Sequence, residues 1–264
     1  MELGRLSLND FARYEDSGVN WRVVEGYGST IAAYGADLPV MLDCPVRRID
    51  HGARRLRIET AGGTIEADQA IVTIPSTLIA EERVLFTPAL AGKTEAALGL
   101  PLGLADKMFL SLAGAEEFEK DTRLFGRIDS TATGAYHFRP FGRPQIEAYF
   151  GGKLAHDLET GGEDAFFDFA VAELTALLGT AFARRICPSH VHRWGIDTFS
   201  GGSYSFALPG CDDCRRALAE TVDDRLFFAG EACSSGDFST AHGAFLTGKA
   251  AADQVIALRG AGGR

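Results

Sequence analysis

Residues 227–251 read FFAGEACSSGDFSTAHGAFLTGKAA. An apolar strand runs through Gly230 into one carboxylate, Glu231. A loop of small polar residues follows, then a helix start built from glycine and alanine. A strand feeding a helix through a polar turn places a crevice beyond the strand's carboxyl end, where open sheets bind ligands. The helix start offers N–H groups without carbonyl partners and a partial positive charge. With Thr240 or Ser239 as cap, Ala241, Gly243 and Ala244 leave the first turn bare, and Gly248 with residues 250–252 continues that surface. Such a tip suits a large flat anion or polar ring. A tight helix–sheet contact selects the same small residues, and the pattern alone does not choose. Glu231 leans toward the ligand, because an unpartnered carboxylate is costly to bury. It would repel phosphates and suit the hydroxyls of a ribityl or ribose chain. An exposed glutamate at a strand end is the plainer alternative.

Other reactive residues are sparser. Cys211 and Cys214 form a C-x-x-C with no second pair. A zinc site needs about four ligands, so a solvent loop is expected. His190 and His192 share one strand face, again short of a ligand set. His242 is expected to hydrogen-bond locally in the first turn of the last helix. No Ser-His-Asp grouping can be argued, and no metal is expected.

The totals narrow the class. The chain has 264 residues, 46% hydrophobic and 23% charged, enough for one large or two interleaved domains. A formal charge of −10 disfavours nucleic acid and anionic membranes. No apolar run reaches the roughly 20 residues of a spanning helix, and the start lacks the pattern of a signal peptide. Five thinly spread cysteines read as reduced thiols of a cytoplasmic protein.

The elements that would carry these residues can be read from periodicity. Ser7 to Asp16 predicts a short helix. Gly26 and Gly28 make a turn into a small-residue helix ending near Gly35. Residues 45–75 contain three strands: Leu56, Ile58 and Thr60 alternate with charged residues, and Gly62-Gly63 suits a hairpin. Their arginines form a solvated face rather than a nucleic-acid stripe. Ala70 to Ile74 is continuous and apolar, expected to be buried on both faces and ended by Pro75. A helix is expected with Thr87 as cap and Gly99 as stop. DKMFLSL and EAYFGG are strands. Glu163 to Gly179 is a helix with Phe166, Phe169, Ala170, Leu174, Leu177 and Leu178 on one stripe. LFFAG is a second buried strand, Ser239 to Leu258 the last helix, and 259–264 a disordered tail. The fold class is α/β, of mixed α+β character.

At this level of detail the chain resembles the flavin-dependent amine oxidases: monoamine oxidases, polyamine oxidases and related histone-lysine demethylases. RLFFAGEACSSGDFSTAHGAFLTGKAAADQVI resembles their carboxyl-terminal flavin motif. RWGIDTFSGGSYSFALPG resembles the tryptophan segment beside the flavin, and LPLGLADKMFLSL the strand carrying the active-site lysine. DCPVRRI with GGTIEADQAIVTIP resembles the adenine-side β meander. The four motifs occur in the family's order from about Leu6 to Ile256.

The resemblance implies an FAD/NAD(P)-binding-like domain, incomplete, at 22–77 and 193–258. It is interleaved with a substrate domain of mixed sheet and helices at 1–21 and 78–192. It implies non-covalent FAD, hydride transfer from the carbon bearing nitrogen to flavin N5, imine hydrolysis, and peroxide from oxygen. By this match Lys107 would be a half-buried cation linked through water to N5, and Trp194 would flank the isoalloxazine. Tyr204 would form one aromatic wall of a substrate cage. Val46 would meet the adenine end, Glu231 with Gly230 the ribityl chain, and Thr240 with Ala241 the pyrimidine side. Read without the motif, Lys107 is a surface lysine on an edge strand, and Trp194 and Tyr204 are core aromatics.

Three departures shape these expectations. Ser203 stands where covalently flavinylated members carry cysteine. Thr240 stands where monoamine oxidases carry a second cage tyrosine. No G-x-G-x-x-G of a pyrophosphate-binding βαβ unit occurs. The resemblance therefore implies an N-terminal part outside this chain, through a shortened gene, a split enzyme or a degenerate remnant. An exposed apolar face is expected, met by a separate G-x-G-x-x-G chain or a homodimer. The small-molecule substrate would be an amine, polyamine or amino acid. A non-catalytic interaction module and a flavin desaturase or porphyrinogen-type oxidase are the alternatives.

Overall fold

The computed structural model describes residues 3–261. They form two compact units, each assembled from separate stretches. An inserted unit comprises Pro101–Gly210 with the residues up to Ser7, and a host unit comprises Leu8–Leu100 and the chain from Cys211 onward.

The host unit opens with a single turn, α1 (Leu8–Phe11), shorter than the helix expected to Asp16. Helix α2 (Tyr27–Tyr34) starts after Gly26, whose φ of 90° is glycine's territory, and stops at Gly35. Strands β1 (Val46–Asp50), β2 (Leu56–Thr60) and β3 (Gly63–Ala67) form the expected antiparallel meander. Leu56 is buried while Arg57 and Glu59 face solvent. After β4 (Ala70–Val72) and α3 (Ser76–Ala80), β5 (Leu85–Thr87) joins β1 in parallel. Thr87 thus ends a strand instead of capping α4 (Ala91–Leu98), which does stop at Gly99.

The inserted unit contains β6 (Leu102–Gly103), β7 (Ala105–Leu112), β8 (Thr122–Phe125), β9 (Ala135–Phe138) and β10 (Gln145–Gly151). Helices α5 (Gly152–Gly161) and α6 (Glu163–Leu178), then β11 (Ile186–His192) and β12 (Tyr204–Ser205), complete it. Its antiparallel sheet runs β11-β7-β10-β9-β8. β7 is therefore an interior strand and not the edge strand that Lys107 alone suggests. One sheet face buries Met108, Leu110, Ile146, Ala148 and Phe150 against Phe166, Ala170 and Leu174 of α6. Fully burying each larger side chain stabilises by about 1.5–3 kcal/mol. The stripe stops at Leu174, leaving Leu177 and Leu178 exposed, since each step of four residues drifts about 40° around the helix. Glu173 ties this helix to the sheet by accepting from the Thr133 hydroxyl (2.7 Å), the Gly134 N–H (2.9 Å) and the Tyr136 hydroxyl (2.7 Å).

The chain re-enters the host unit at α7 (Cys214–Ala219), followed by β13 (Leu226–Phe228) and α8 (Ala241–Ala261). β13 is fully buried and pairs in parallel with β4, and α8 packs on it through Ala251, Val255 and Leu258. β4 is shorter than expected and not buried on both faces: Ile71 is 37% exposed. Parallel strands are buried by layers on both sides, and β4 has β13 as its only partner among the described residues. Helix α8 also runs through residues 259–261, expected as disordered tail; 262–264 lie outside the described residues.

The borders of the two units differ from those expected at 21/22, 77/78 and 192/193. α1 stays with the host unit because Asp10, fully buried, pairs with Arg215 of α7 at 2.9 Å. Residues 78–100 stay there because buried Lys93 donates to the carbonyls of Ala217 (2.8 Å), Leu218 (2.9 Å) and Glu220 at the end of α7. Residues 193–210 lie in the inserted unit because the Ser203 and Phe206 N–H groups donate to Gly103 (2.8 Å) and Pro101 (3.1 Å).

Candidate active site

The side of the inserted unit's sheet turned away from its core carries a group of polar and aromatic residues. Strand alternation puts Asp106, Met108 and Leu110 inward and Lys107 outward. Lys107 stands opposite Tyr149 of β10 and His192 of β11. Its Nζ lies 2.6 Å from Glu147 Oε1; the lysine is 46% exposed and the glutamate 9%. A buried carboxylate thus fixes a half-exposed cation. The Tyr149 and Tyr204 hydroxyls hydrogen-bond at 2.8 Å. Burial first, then that bond, push the Tyr149 phenol well above its usual range.

Trp194 follows β11 and sets its ring edge-on to His192, with centroids 4.1 Å apart. Asp197 Oδ2 lies 3.7 Å from His192 Nε2. The Phe199 N–H, donating to Asp197, holds that carboxyl below its usual range. The backbone of the Trp194 segment is held from behind. The Trp194 N–H donates to Asp106 Oδ1 at 3.2 Å and the Gly195 N–H to Glu159 Oε1 at 2.7 Å. Burial pushes Asp106 up to about 7, opposed by the Trp194 N–H and reinforced by the Glu159 carboxyl. Ser203 Oγ accepts the Ala105 N–H at 2.8 Å, so its hydroxyl braces the β6–β7 turn.

In the host unit the opening motif folds around its own loop. Gly230, at φ 139°, donates its N–H to Thr247 Oγ1 of α8 at 3.0 Å. Glu231 Oε2 accepts the Ser239 N–H at 2.7 Å, which partners a carboxylate whose burial would otherwise be costly. Thr240 is the cap: its Oγ1 accepts the Gly243 N–H at 2.9 Å. The N–H groups of Ala241 and His242 have no intrahelical carbonyl to reach. The two explanations for the small residues divide by position. A Cβ at Gly243 would collide with the Asp237 carbonyl, so that glycine serves the chain's own packing. Gly230 and Gly248 face open space. His242 bonds locally, to Asp237 Oδ1 at 3.3 Å. Val46 begins β1, where a register shift separates it from Arg48.

The structure therefore groups Lys107, Trp194, Ser203 and Tyr204 in the inserted unit, and Gly230, Glu231, Thr240 and Ala241 in the host unit. Glu147, Tyr149, Asp106 and Glu159 were not singled out as site residues, and His192 was weighed only as a metal ligand. For Glu147 and Tyr149 the signal was available: they alternate with the apolar Ile146, Ala148 and Phe150, so they share Lys107's face. Cys211 and Cys214 do not sit in a solvent loop. Cys214 begins α7, both thiols abut Gly99, and burial pushes Cys214 up to about 11. Among the described residues no group of three or more His, Cys, Asp or Glu is placed to hold a metal ion, and no helix is long and apolar enough to cross a membrane.

The sequence profile described as "Flavin containing amine oxidoreductase" matches residues 5–256, and the chain belongs to that family. Among its relatives, Polyamine oxidase 3 of Oryza sativa subsp. japonica is 32% identical over 241 residues, 88% of this chain and 48% of that protein. Lysine-specific histone demethylase 1 homolog 1 of Arabidopsis thaliana is 29% identical over 272 residues, 96% of this chain and 32% of that protein. Wild-type putrescine oxidase bound to putrescine superposes with a TM-score of 0.74 at 19% identity, over 89% of this chain and 54% of that one. That last likeness is one of fold, and it agrees with the mixed α/β class. The chain spans about half the length of the polyamine oxidases it matches.

Proposed function

We propose that this chain is part of an FAD-dependent oxidase of an amine, polyamine or amino acid, acting on a C–N bond. The observation that carries the reading is the grouping of Lys107, Tyr204 and the Trp194 segment about one sheet face. In the proposed roles, Lys107 on Glu147 keeps donors for a water. Tyr204 with Tyr149 presents an aromatic wall to an ammonium substrate, and Trp194 shields the reacting region from solvent.

The residues fit the ring and ribityl half of a flavin. In support, Gly230 and Gly248 are open on the α8 side, and the helix tip carries N–H groups suited to a polarised ring oxygen. In this reading Gly230, Glu231, Thr240 and Ala241 line that half, Val46 meets the adenine end, and Ser203 leaves the link non-covalent. A bound flavin would supply the two-electron acceptor for the C–N bond.

The pyrophosphate cradle has no counterpart in this sequence, so turnover is proposed to need a G-x-G-x-x-G part. A separate chain is its proposed source, with a homodimer as the other arrangement. The exposed Trp21, Tyr34, Val40, Met41 and Leu42 support a partner. Free thiols at all five cysteines support a cytoplasmic setting.

The test is to purify the protein with and without such a partner, add FAD, and measure flavin released on denaturation and peroxide formed from putrescine or a polyamine. Flavin uptake with amine-dependent peroxide supports the enzyme. Absence of flavin under both conditions supports the second reading that the exposed apolar row favours, an interaction module of a split flavoprotein. Lys107→Met should slow flavin reduction by ~10²-fold, the scale of a lost positioned proton relay; an unchanged rate together with no amine turnover points to the desaturase-type reading.

A further inference from the structure

Asp106 and Glu159 come from different elements, β7 and α5, and meet under the Trp194–Gly195 backbone. Asp106 is fully buried and Glu159 7% exposed. One oxygen of each has a donor, the Trp194 and Gly195 N–H groups. The other oxygen of Asp106 is buried with no donor among the described residues. The second carboxyl stands beside it, held by the next backbone N–H, and strengthens its hold on a proton. Two carboxylates cannot bond to each other without a proton between them. A buried acceptor left unmatched costs about 1–3 kcal/mol, more when charged. One shared proton removes both the unmatched oxygen and the repulsion. Gly195 fits this arrangement, since a Cβ there would collide with Glu159 Oε2.

Among the described residues the neighbouring charges have partners of their own. Lys107, on the opposite face of β7, is held by Glu147 of β10. Arg193, beside the pair in sequence, lies 3.7 Å from Glu163 of α6. Lys153 and His156 of α5 both lie against Asp157. Tyr149 of β10 feels the Asp106 charge but is raised by burial. His192 lies edge-on against the Trp194 ring.

We infer that Asp106 and Glu159 are positioning residues: a carboxyl pair sharing one proton, which clamps the Trp194–Gly195 backbone and makes the setting of the Trp194 ring depend on pH. The clamp stands on the inserted unit's geometry alone; only its consequence for a flavin rests on the role proposed for Trp194. Loss of the proton to solvent leaves two facing carboxylates, whose repulsion loosens the two N–H anchors.

The test needs no cofactor. In a Trp21→Phe background, emission reports Trp194 alone, because the sequence has two tryptophans. Emission and the infrared carbonyl stretch of protonated carboxyl are followed from pH 5 to 9. A single step near pH 7 in both signals is expected. Asp106→Asn keeps the acceptor for Trp194 and gives Glu159 a permanent donor, so the step should vanish and emission stay at its low-pH value. Glu159→Gln should do the same by the reverse arrangement, and it decides the matter if the first variant does not fold. His192→Asn should keep the infrared step, which separates the pair from imidazole titration. A wild-type protein with no protonated-carboxyl band at pH 5, or a step unchanged in the amide variants, overturns the inference. A protein that binds no flavin yet shows the step keeps it and sinks only the proposed function.

Discussion

In the inserted unit, Met108, Leu110, Ile146, Ala148 and Phe150 meet Phe166, Ala170 and Leu174, and none is more than 1% exposed. In the host unit, Trp21, Tyr34, Val40, Met41 and Leu42 are each at least 65% exposed, and β4 leaves Ile71 partly open. Both regions are built from apolar residues. They differ in whether each apolar face has something to lie against. Large apolar side chains left exposed are the raw material of binding surfaces. Amphipathic patterning thus identifies a face to be covered without identifying what covers it.

Four measurements put this contrast at risk. The largest effect is expected in the closed core: Phe166→Ala should cost ~3–5 kcal/mol in urea melts. A loss below about 1 kcal/mol would mean that the inserted unit is no better packed than its host. Next comes Asp10→Ala, which strands buried Arg215 and should cost ~3 kcal/mol, the lower end for a broken buried pair. That result would show that the host unit is tightly held where its own residues meet.

A third effect is a pH dependence confined to the inserted unit. The folded pKa of Asp106 is raised to about 7, so the folded state keeps a proton that the unfolded state loses near pH 4. Stability should fall as pH rises between those values and level off above. Asp106→Asn should flatten that slope, as read by melts at pH 5 and 8. The smallest effect is at the open surface. Tyr34→Ser should leave the chain alone within about 0.5 kcal/mol, while weakening any capture of a G-x-G-x-x-G partner. A destabilisation of several kcal/mol would show that this surface is internal packing.

The sequence made the meander, β7, β10, α6, β13 and α8 legible, because each combines a clean period with a glycine or proline boundary. The end of α1 and the start of α4 were less so. Ser7 and Thr87 have good capping side chains, yet Asp10 is drawn into a buried ion pair and Thr87 into β5. Tertiary contacts set those boundaries. Lys107, Trp194 and Tyr204 were singled out through motif resemblance, and their roles are those proposed above. Their supports, Glu147, Tyr149 and the Asp106–Glu159 pair, arise from strand register and from a helix–strand meeting 53 residues apart, which no local pattern encodes.

The junction where the host chain departs and returns has its own consequence. Gly99 lies against the sulfurs of Cys214 and Cys211, and a Cβ there would come within 2.6 and 2.8 Å of them, respectively. Lys93 fastens the same two stretches a few residues further on. The excursion from 101 to 210 therefore begins and ends at one spot, the geometry in which domain insertion is tolerated. A short bridge from Leu100 to Cys211 would preserve that seam, making the host fold a scaffold into which other modules can be grafted.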